Sequence, residues 1–212
     1  MNSTPAATPS DHSFQPGLFD DDEPSIDRSF ATARRVQLDE TAWIEHVRGW
    51  LAGSGQVLGT VLDTIAWEQR QRWMYTQMVT EPRLTAEYPE LADAPQPFLR
   101  EIGAALSAHY GVRYERLWMN LYRDNNDGAG WHADRPANEL PEAVIPVLSL
   151  GATRRFLIRP SAGGKSTSFS PASGDLIVMG GTCQRGWVHC VPKQKTAAGP
   201  RASLNFSARD SG

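Results

Sequence analysis

Two residues of metal-binding type lie one position apart in His132-Ala133-Asp134. In an extended segment, side chains at positions i and i+2 point to the same side of the chain. An imidazole and a carboxylate placed in this way are two members of a 2-His-1-carboxylate site, which holds Fe(II) and leaves coordination positions open for oxygen and a co-substrate. Taken alone, the triplet is better explained by a solvated strand end, so the iron hypothesis needs a third ligand.

The third ligand is expected to be a distant histidine among the five in the chain. His12 lies in a polar tail, while His46 and His109 lie in stretches with a helical pattern. His189 remains, in a Trp-Val-His run typical of a β-strand. The glycine-rich turn just before the triplet would deliver the first two ligands to the rim of a strand. Zinc is the competing metal for this set.

Arg201, near the end of the chain, suggests how a co-substrate would bind. A buried guanidinium needs an anionic partner, and a dicarboxylate could supply a carboxylate that accepts two of its N–H groups. Asn120 and Tyr122 lie two positions apart before the triplet, so in a strand both would face the same side and could donate further bonds. A surface position on a strand explains Arg201 equally well when it is taken alone.

The elements that must position these residues are short strands separated by turn-forming residues. Strands are predicted over 117–123, 144–150, 155–159, 167–170, 176–179, 186–191 and 202–208. Helices are predicted only before them. This order favours an α+β fold built on a double-sheet jelly roll, with the core of the roll at about 115–209.

Two helices are predicted ahead of the strands, packed on one sheet. The first runs from Asp39, a favourable N-cap, to Gly53, and carries an amphipathic apolar stripe. The second covers 95–111 and ends at Gly111. The segment 56–79 between them is expected to be extended.

A lid is predicted at about 56–92, where aromatic residues alternate with arginines. Such a surface suits stacking on a nucleobase and pairing with phosphate. A sheet with one buried and one solvated face explains the same pattern, and the sequence does not choose between the two.

The composition, with 40% hydrophobic and 21% charged residues in 212, is typical of a soluble globular protein. Residues 1–30 carry a net charge of −5, so the remainder carries about +2 of the total of −3. The acidic residues 1–30 are expected to be disordered and 31–212 to form one domain. There is no transmembrane run and no secretory signal, and Cys183 and Cys190 form no disulfide framework, so we expect a cytoplasmic monomer that does not bind membranes.

The tail contains one segment that stands out, Gln15-Pro16-Gly17-Leu18-Phe19. It resembles the short peptides that bind bacterial sliding clamps. The favoured alternative is that Leu18 and Phe19 pack against the domain as its first anchor.

The motifs together resemble those of the AlkB family of Fe(II)/2-oxoglutarate dioxygenases, over roughly residues 55–209. The segments that carry the resemblance are Asn120-Leu121-Tyr122, Trp131-His132-Ala133-Asp134, Val147-Leu148-Ser149-Leu150-Gly151, Gly174-Asp175-Leu176-Ile177-Val178-Met179, Trp187-Val188-His189 and the strand that starts at Arg201. Upstream, Met78-Val79 and Pro82-Arg83 resemble the nucleotide-recognition lid of the family.

The resemblance implies a double-stranded β-helix in which His132, Asp134 and His189 hold Fe(II). It implies 2-oxoglutarate as co-substrate beside O2, anchored by Arg201 with Tyr122 and Asn120. The implied reaction is oxidative demethylation of N-alkylated bases in DNA or RNA, such as 1-methyladenine and 3-methylcytosine, with release of formaldehyde. The base would be flipped out of its stack into the pocket.

The sequence departs from the family pattern in two places. The closing strand of the family reads Arg-X-Asn-X-Thr-X-Arg, whereas here Ser203 and Ser207 stand at the Asn and the second Arg, and they are the implied co-substrate contacts at those positions. Arg209 would face the same side two residues later, and is the predicted replacement for the second clamp. In addition, Arg135 follows the His-X-Asp motif, where base-repairing members often carry acids.

The residues implied in substrate binding are Trp67, Arg72, Tyr75, Met78, Arg83, Tyr88, Trp131 and Arg135. An oxygenase that acts on tRNA, protein or a small molecule is the alternative within the same chemistry. A metal-dependent module that recognises damage without turnover is the alternative outside it.

Overall fold

The computed structural model describes residues 23–209 except 75 and 136, and the side chains of residues 72, 74 and 138 also fall outside the described set. The predicted clamp-like segment and most of the acidic tail therefore lie outside the described residues. The chain forms, in order, β1 (Ser25–Ile26), β2 (Arg34–Gln37), β3 (Trp43–Val47), β4 (Leu51–Ala52), α1 (Ser54–Thr64), β5 (Gln71–Met74), β6 (Gln77–Thr80), β7 (Leu84–Tyr88), α2 (Pro97–Tyr110), β8 (Tyr114–Tyr122), β9 (Ala129–His132), β10 (Ala143–Gly151), β11 (Phe156–Pro160), β12 (Thr167–Phe169), β13 (Leu176–Gly181), α3 (Cys183–Gly186), β14 (Trp187–Val191) and β15 (Arg201–Ala208).

Two antiparallel sheets form the body of the fold. The major sheet has seven strands in the order β2-β3-β13-β10-β15-β8-β7, and the minor sheet has four in the order β12-β11-β14-β9. A buried cluster that joins Val147 and Ile177 of the major sheet to Phe156 and Ile158 of the minor sheet lies between them. This arrangement confirms the predicted jelly roll, and the seven predicted strands are all present.

Successive side chains along the strands of the major sheet point to opposite faces. One face is covered by the helices, and the other lines a cavity. On β10, Leu148 and Leu150 are fully buried in a cluster with Leu58 of α1 and Leu106 of α2. The residue between the two leucines, Ser149, faces the opposite side, where its hydroxyl accepts a hydrogen bond from Arg201. The helices thus cover one face of this sheet, and the other face supplies polar side chains to a site.

The second predicted helix is confirmed, since α2 covers Pro97–Tyr110. Pro97 suits the first turn, where no N–H is needed. Gly111 ends the helix with φ of 68°, a left-handed conformation that glycine adopts without a steric penalty. His109 lies in this helix, as its pattern predicted, and stacks on Phe30 at a centroid distance of 3.5 Å.

The first predicted helix is wrong, because β3 occupies Trp43–Val47. This strand lies between β2 and β13 in the major sheet, and burial on both of its faces hides the period-2 pattern. Asp39 does cap backbone N–H groups, since its Oδ1 accepts from Thr41 and Ala42 at 2.9 and 2.7 Å. It closes a turn before a strand and not the first turn of a helix.

The prediction of an extended segment at 56–79 is also wrong for its first part, because α1 covers Ser54–Thr64. Val57, Leu58 and Val61 form its buried stripe, and the two valines and Gly59 obscured the helical pattern. The second part is extended, as predicted, and forms the β5–β6 hairpin. No helix among the described residues is long and apolar enough to cross a membrane.

Candidate active site

The two predicted histidine ligands are placed by the minor sheet. His132 ends β9 and His189 lies in the middle of β14, and the two are register partners in the antiparallel pair. Their ring centroids are 4.3 Å apart. Direct cross-strand neighbours project to the same face, so the ladder alone brings the two imidazoles together.

Asp134 completes the cluster that the sequence predicted. Its Oδ1 lies 3.7 Å from His132 Nε2 and 3.5 Å from His189 Nε2, and the three ligand atoms lie within 4.8 Å of one another. His132 Nδ1 is 2.7 Å from the carbonyl oxygen of Gly130, to which it must donate a proton. The lone pair of the neutral ring is therefore on Nε2, the atom that faces Asp134.

The electrostatics of the cluster favour the protonation states that bind a metal. Burial, and then the neighbouring His189, lower the pKa of His132. Burial alone would raise the pKa of Asp134, but the two histidines and a hydrogen bond from Gln184 outweigh it, so the pKa of this carboxyl is lowered. Near neutral pH the cluster thus offers a neutral imidazole and an ionised carboxylate, which suit a divalent cation with open coordination positions.

Arg201 is buried at the cavity end of β15, with 2% of its surface exposed. Its Nη2 donates to Ser149 Oγ at 2.9 Å, while Nε and Nη1 are buried without a hydrogen-bond partner in the described structure. Burial lowers the pKa of this guanidinium. A buried guanidinium whose Nε and Nη1 have no partner can donate charge-assisted hydrogen bonds to a carboxylate, so Arg201 fits the predicted dicarboxylate co-substrate.

Asn120 and Tyr122 flank the same end of the cavity from β8. Tyr122 is the register partner of Arg201, and its ring centroid is 5.3 Å from the guanidinium carbon. Asn120 is paired with Ser203, to whose Oγ its Nδ2 donates at 3.2 Å, and its Oδ1 accepts from Trp118 Nε1 at 3.0 Å. These bonds fix the amide, and its second N–H remains available to a co-substrate.

The cluster and this polar end share one cavity of about 1090 Å³. The volume exceeds that of a typical small-molecule pocket, so a dicarboxylate and a larger group can occupy it together. Of the predicted co-substrate residues, all but Arg209 line this cavity: Asn120, Tyr122, Arg201, Ser203 and Ser207.

The prediction that Arg209 replaces the second clamp is contradicted by its position. Strand β15 ends at Ala208, so the alternation on which the prediction depended does not extend to residue 209. The Arg209 guanidinium pairs with Glu90 and lies 3.8 Å from Glu115, and its side chain is half exposed. The Arg209 guanidinium is therefore paired on the outer surface and does not line the cavity, whereas Arg201 does.

The predicted substrate-binding residues fall into three groups. Arg83, Tyr88, Trp131 and Arg135 line the cavity. Trp67 packs against the hydrophobic core, and Met78 projects into solvent from the β5–β6 hairpin, so neither lines the cavity. Tyr75 and the Arg72 side chain lie outside the described residues.

Two residues that the sequence analysis missed support the cluster. Arg154 is fully buried, and it donates to the carbonyl oxygens of Asp124, Asp127 and Pro192 at 2.8, 2.7 and 3.0 Å. It thereby ties the turn before β9 to the end of β14. Gln184 makes two hydrogen bonds to Asp134. Neither residue has a sequence signal, because their partners are 27 to 50 positions away.

Comparisons with known proteins agree with this site. The family model of the 2OG-Fe(II) oxygenase superfamily matches residues 34–209. The "Alpha-ketoglutarate-dependent dioxygenase alkB homolog 3" of Homo sapiens is 30% identical over 170 residues, which cover 71% of this chain and 59% of that protein. The "DNA oxidative demethylase ALKBH2" of Arabidopsis thaliana is 33% identical over 137 residues, which cover 52% of this chain and 43% of that protein.

A solved structure shows the same fold. The structure of OsALKBH1 matches with a TM-score of 0.57 and 16% identity, over 83% of this chain and 100% of that chain. The chain spans about three fifths of the length of the human relative that it matches. On the match of the family model, the chain belongs to the 2OG-Fe(II) oxygenase superfamily, and the relatives that it resembles in sequence are AlkB homologues.

Proposed function

We propose that this protein catalyses the Fe(II)- and 2-oxoglutarate-dependent oxidative demethylation of N-alkylated nucleobases in DNA or RNA. One observation carries the proposal. The His-Asp-His cluster and Arg201, whose buried Nε and Nη1 have no partner, line a single cavity that is large enough for a co-substrate and a base. The similarity to a DNA oxidative demethylase supports the choice of substrate.

The residues present fit both groups. His132, Asp134 and His189 would hold Fe(II), and Arg201 would bind one carboxylate of 2-oxoglutarate beside Tyr122. When bound, Fe(II) with 2-oxoglutarate and O2 supplies the oxidant that inserts one oxygen atom into an N-methyl C–H bond, while 2-oxoglutarate is converted to succinate and CO2. The resulting N-hydroxymethyl base splits into formaldehyde and the unmodified base.

The contribution of the chain is placement and exclusion of water. The ladder between β9 and β14 fixes the two histidines, and the ladder between β8 and β15 fixes Arg201 opposite Tyr122. A co-substrate held at Arg201 is thereby oriented toward the cluster on the opposite sheet. Since the walls between them are buried, an alkylated base that enters the mouth displaces water from the reacting end.

The cavity mouth suits a nucleic acid. Arg70 forms an ion pair with Glu87 at 3.0 Å and lies over the Trp118 ring at 4.3 Å, and Trp131 is 38% exposed with Arg159 stacked on it at 4.2 Å. Arginine planes beside aromatic rings can stack on bases and pair with phosphate.

The β5–β6 hairpin extends this surface. Trp73 and Met78 are cross-strand partners on it, and they are 66% and 53% exposed. Large apolar side chains that are exposed as a pair indicate a contact surface, and unpaired bases offer apolar faces to such a surface. The hairpin therefore supports a nucleic acid as the substrate over a small molecule.

The decisive experiment measures succinate and formaldehyde from purified protein with Fe(II) and 2-oxoglutarate. The substrates are single-stranded DNA and RNA of equal sequence that carry 1-methyladenine or 3-methylcytosine, and the His132→Ala variant is the control. Equal amounts of the two products, both lost in the variant, are expected. Succinate without formaldehyde would show an oxygenase with another substrate, such as tRNA, protein or a small molecule. Absence of both products would overturn the proposal.

We also propose, as a separate point, that Gln15-Pro16-Gly17-Leu18-Phe19 binds a bacterial sliding clamp. The support is the sequence resemblance alone. Fluorescence polarisation of a labelled peptide of residues 10–24 with purified clamp tests it, and the Leu18→Ala, Phe19→Ala double variant should lose binding. Equal binding by both peptides would exclude the contact.

A further inference from the structure

The three ligands of the cluster are not held in the same way. His132 and His189 are fixed as register partners in the minor sheet. Asp134 lies two residues beyond the end of β9, in the loop that leads to β10, where no strand ladder holds it. A metal site needs its ligands placed to within a fraction of an ångström, so some other contact must fix this carboxylate.

Gln184 makes that contact. It lies in the single helical turn α3 that connects β13 to β14, and only 2% of its surface is exposed. The backbone N–H of Asp134 donates to Gln184 Oε1 at 2.8 Å, and Gln184 Nε2 donates to Asp134 Oδ2 at 3.0 Å. Because the backbone N–H can only donate, the orientation of the amide is fixed by this pair of bonds.

Because of these two bonds, the two oxygens of the Asp134 carboxylate have different contacts. Oδ2 is held by Gln184, while Oδ1 is the oxygen that lies 3.5 and 3.7 Å from the two Nε2 atoms. A carboxylate restrained in this way presents one oxygen to a metal and not two. The coordination position that a second oxygen would take stays open, as an oxygenase requires.

We propose that Gln184 is a positioning residue for the metal site, which tethers Asp134 as a one-oxygen ligand and thereby sets metal affinity. The inference rests on the proposed function, since it takes the His-Asp-His cluster as the metal site. Gln184 does not touch the metal or the substrate, and it acts only through Asp134. Loss of a partner of this kind typically weakens metal binding by roughly 10- to 100-fold.

The test is Co(II) binding to the metal-free full-length protein, followed by calorimetry and by the visible absorption spectrum of the ion. Gln184→Met keeps the length of the side chain and removes both bonds to Asp134. Met179→Leu is the matched control, because it removes the 3.3 Å contact of Gln184 Nε2 with Met179 Sδ and leaves both bonds of Gln184 to Asp134 in place. We expect Gln184→Met to bind Co(II) about 10- to 100-fold more weakly with a changed spectrum, and Met179→Leu to match the wild type.

Wild-type affinity and an unchanged spectrum in folded Gln184→Met would overturn the inference. A purely structural role would instead lower the melting temperature of the metal-free protein without a change in affinity. Should Gln184→Met fail to fold, Gln184→Asn keeps the amide but is one methylene too short to reach both partners, and wild-type binding by it would equally overturn the inference. Co(II) binding that survives in His132→Ala would show instead that the metal site itself was misplaced.

Discussion

The floor of the cavity and its rim are built in different ways. At the floor, Arg201, Ser203, His189 and Asn120 are 2%, 3%, 7% and 9% exposed, and each lies on a strand with neighbours. At the rim and on the hairpin, aromatic and apolar side chains are 38% to 66% exposed. The buried floor residues are held in place by strand pairing, which suits the binding of a metal and a co-substrate of fixed shape. The exposed side chains of the rim have room to rearrange around a substrate. Substitutions should therefore separate cofactor effects from substrate effects.

The largest effect is expected at the metal ligands of the floor. His189→Ala removes one of three ligands, and we expect it to abolish succinate formation, with or without a nucleic acid substrate. His109→Ala is the matched histidine control, because His109 stacks on Phe30 in the helical layer. Turnover of His189→Ala within tenfold of the control would contradict the assignment of the cluster.

Arg201→Met should raise the KM for 2-oxoglutarate by about 100-fold, since two charge-assisted hydrogen bonds contribute roughly 1.5 kcal/mol each. The variant should not lower the free energy of unfolding of the metal-free protein, because it replaces a buried guanidinium whose Nε and Nη1 have no hydrogen-bond partner. Succinate assays measure the KM for 2-oxoglutarate, and urea titrations measure the free energy of unfolding.

Arg209→Met serves as the control for Arg201→Met. The Arg209 side chain pairs with glutamates on the outer surface, so its removal should leave the KM for 2-oxoglutarate unchanged. An increase in this KM comparable to that of Arg201→Met would show that Arg209 does bind the co-substrate. It would also show that the residues of the floor are not the only ones that do so.

Asp175→Asn should weaken the framework without a change in the KM for 2-oxoglutarate. Asp175 accepts hydrogen bonds from His46 Nε2, Gly49 N and Ala172 N at 2.8, 2.8 and 3.0 Å. We expect a loss of about 1–3 kcal/mol in the free energy of unfolding at pH 7. Burial alone would raise the pKa of this carboxyl, but these bonds outweigh it, so the pKa is lowered.

The sign of the pH dependence follows from that lowered pKa. The ionised Asp175 contributes its full stability above the unfolded-state pKa of about 3.9, and the contribution is lost as the pH falls through the lower folded-state value. Urea titrations from pH 7 to pH 3 should therefore show the gap between wild type and Asp175→Asn shrinking only below about pH 4. A gap that is independent of pH over this range would show that the charge has no part in it.

The smallest effect is expected at the hairpin. The Trp73→Ser, Met78→Ser double variant should raise the KM for methylated oligonucleotides by roughly 3- to 10-fold, because stacking on a base contributes about 1–3 kcal/mol and part of it will remain. The KM for 2-oxoglutarate should not change. Val36→Ser on β2 is the control for loss of an exposed apolar side chain. An equal effect of the control would show that the hairpin has no specific role.

The sequence alone determined the chemistry-bearing pattern. The spacing of His132 and Asp134, the strand around His189 and the polar pair Asn120 and Tyr122 are all local features, and the structure brings them to one cavity. The strands of the roll were equally predictable, because each has a short apolar or alternating pattern between turn residues.

The tertiary structure decided what depends on partners far away in the chain. Trp43–Val47 is a strand because β13 pairs beside it, and its pattern alone favoured a helix. Arg209 forms ion pairs with glutamates outside the cavity, and Gln184 forms hydrogen bonds with Asp134, which lies 50 positions earlier in the chain. The local pattern of apolar residues predicts which side chains of one element are buried and to which side they point. It does not predict which other element lies beside it, and these three outcomes depended on that neighbour.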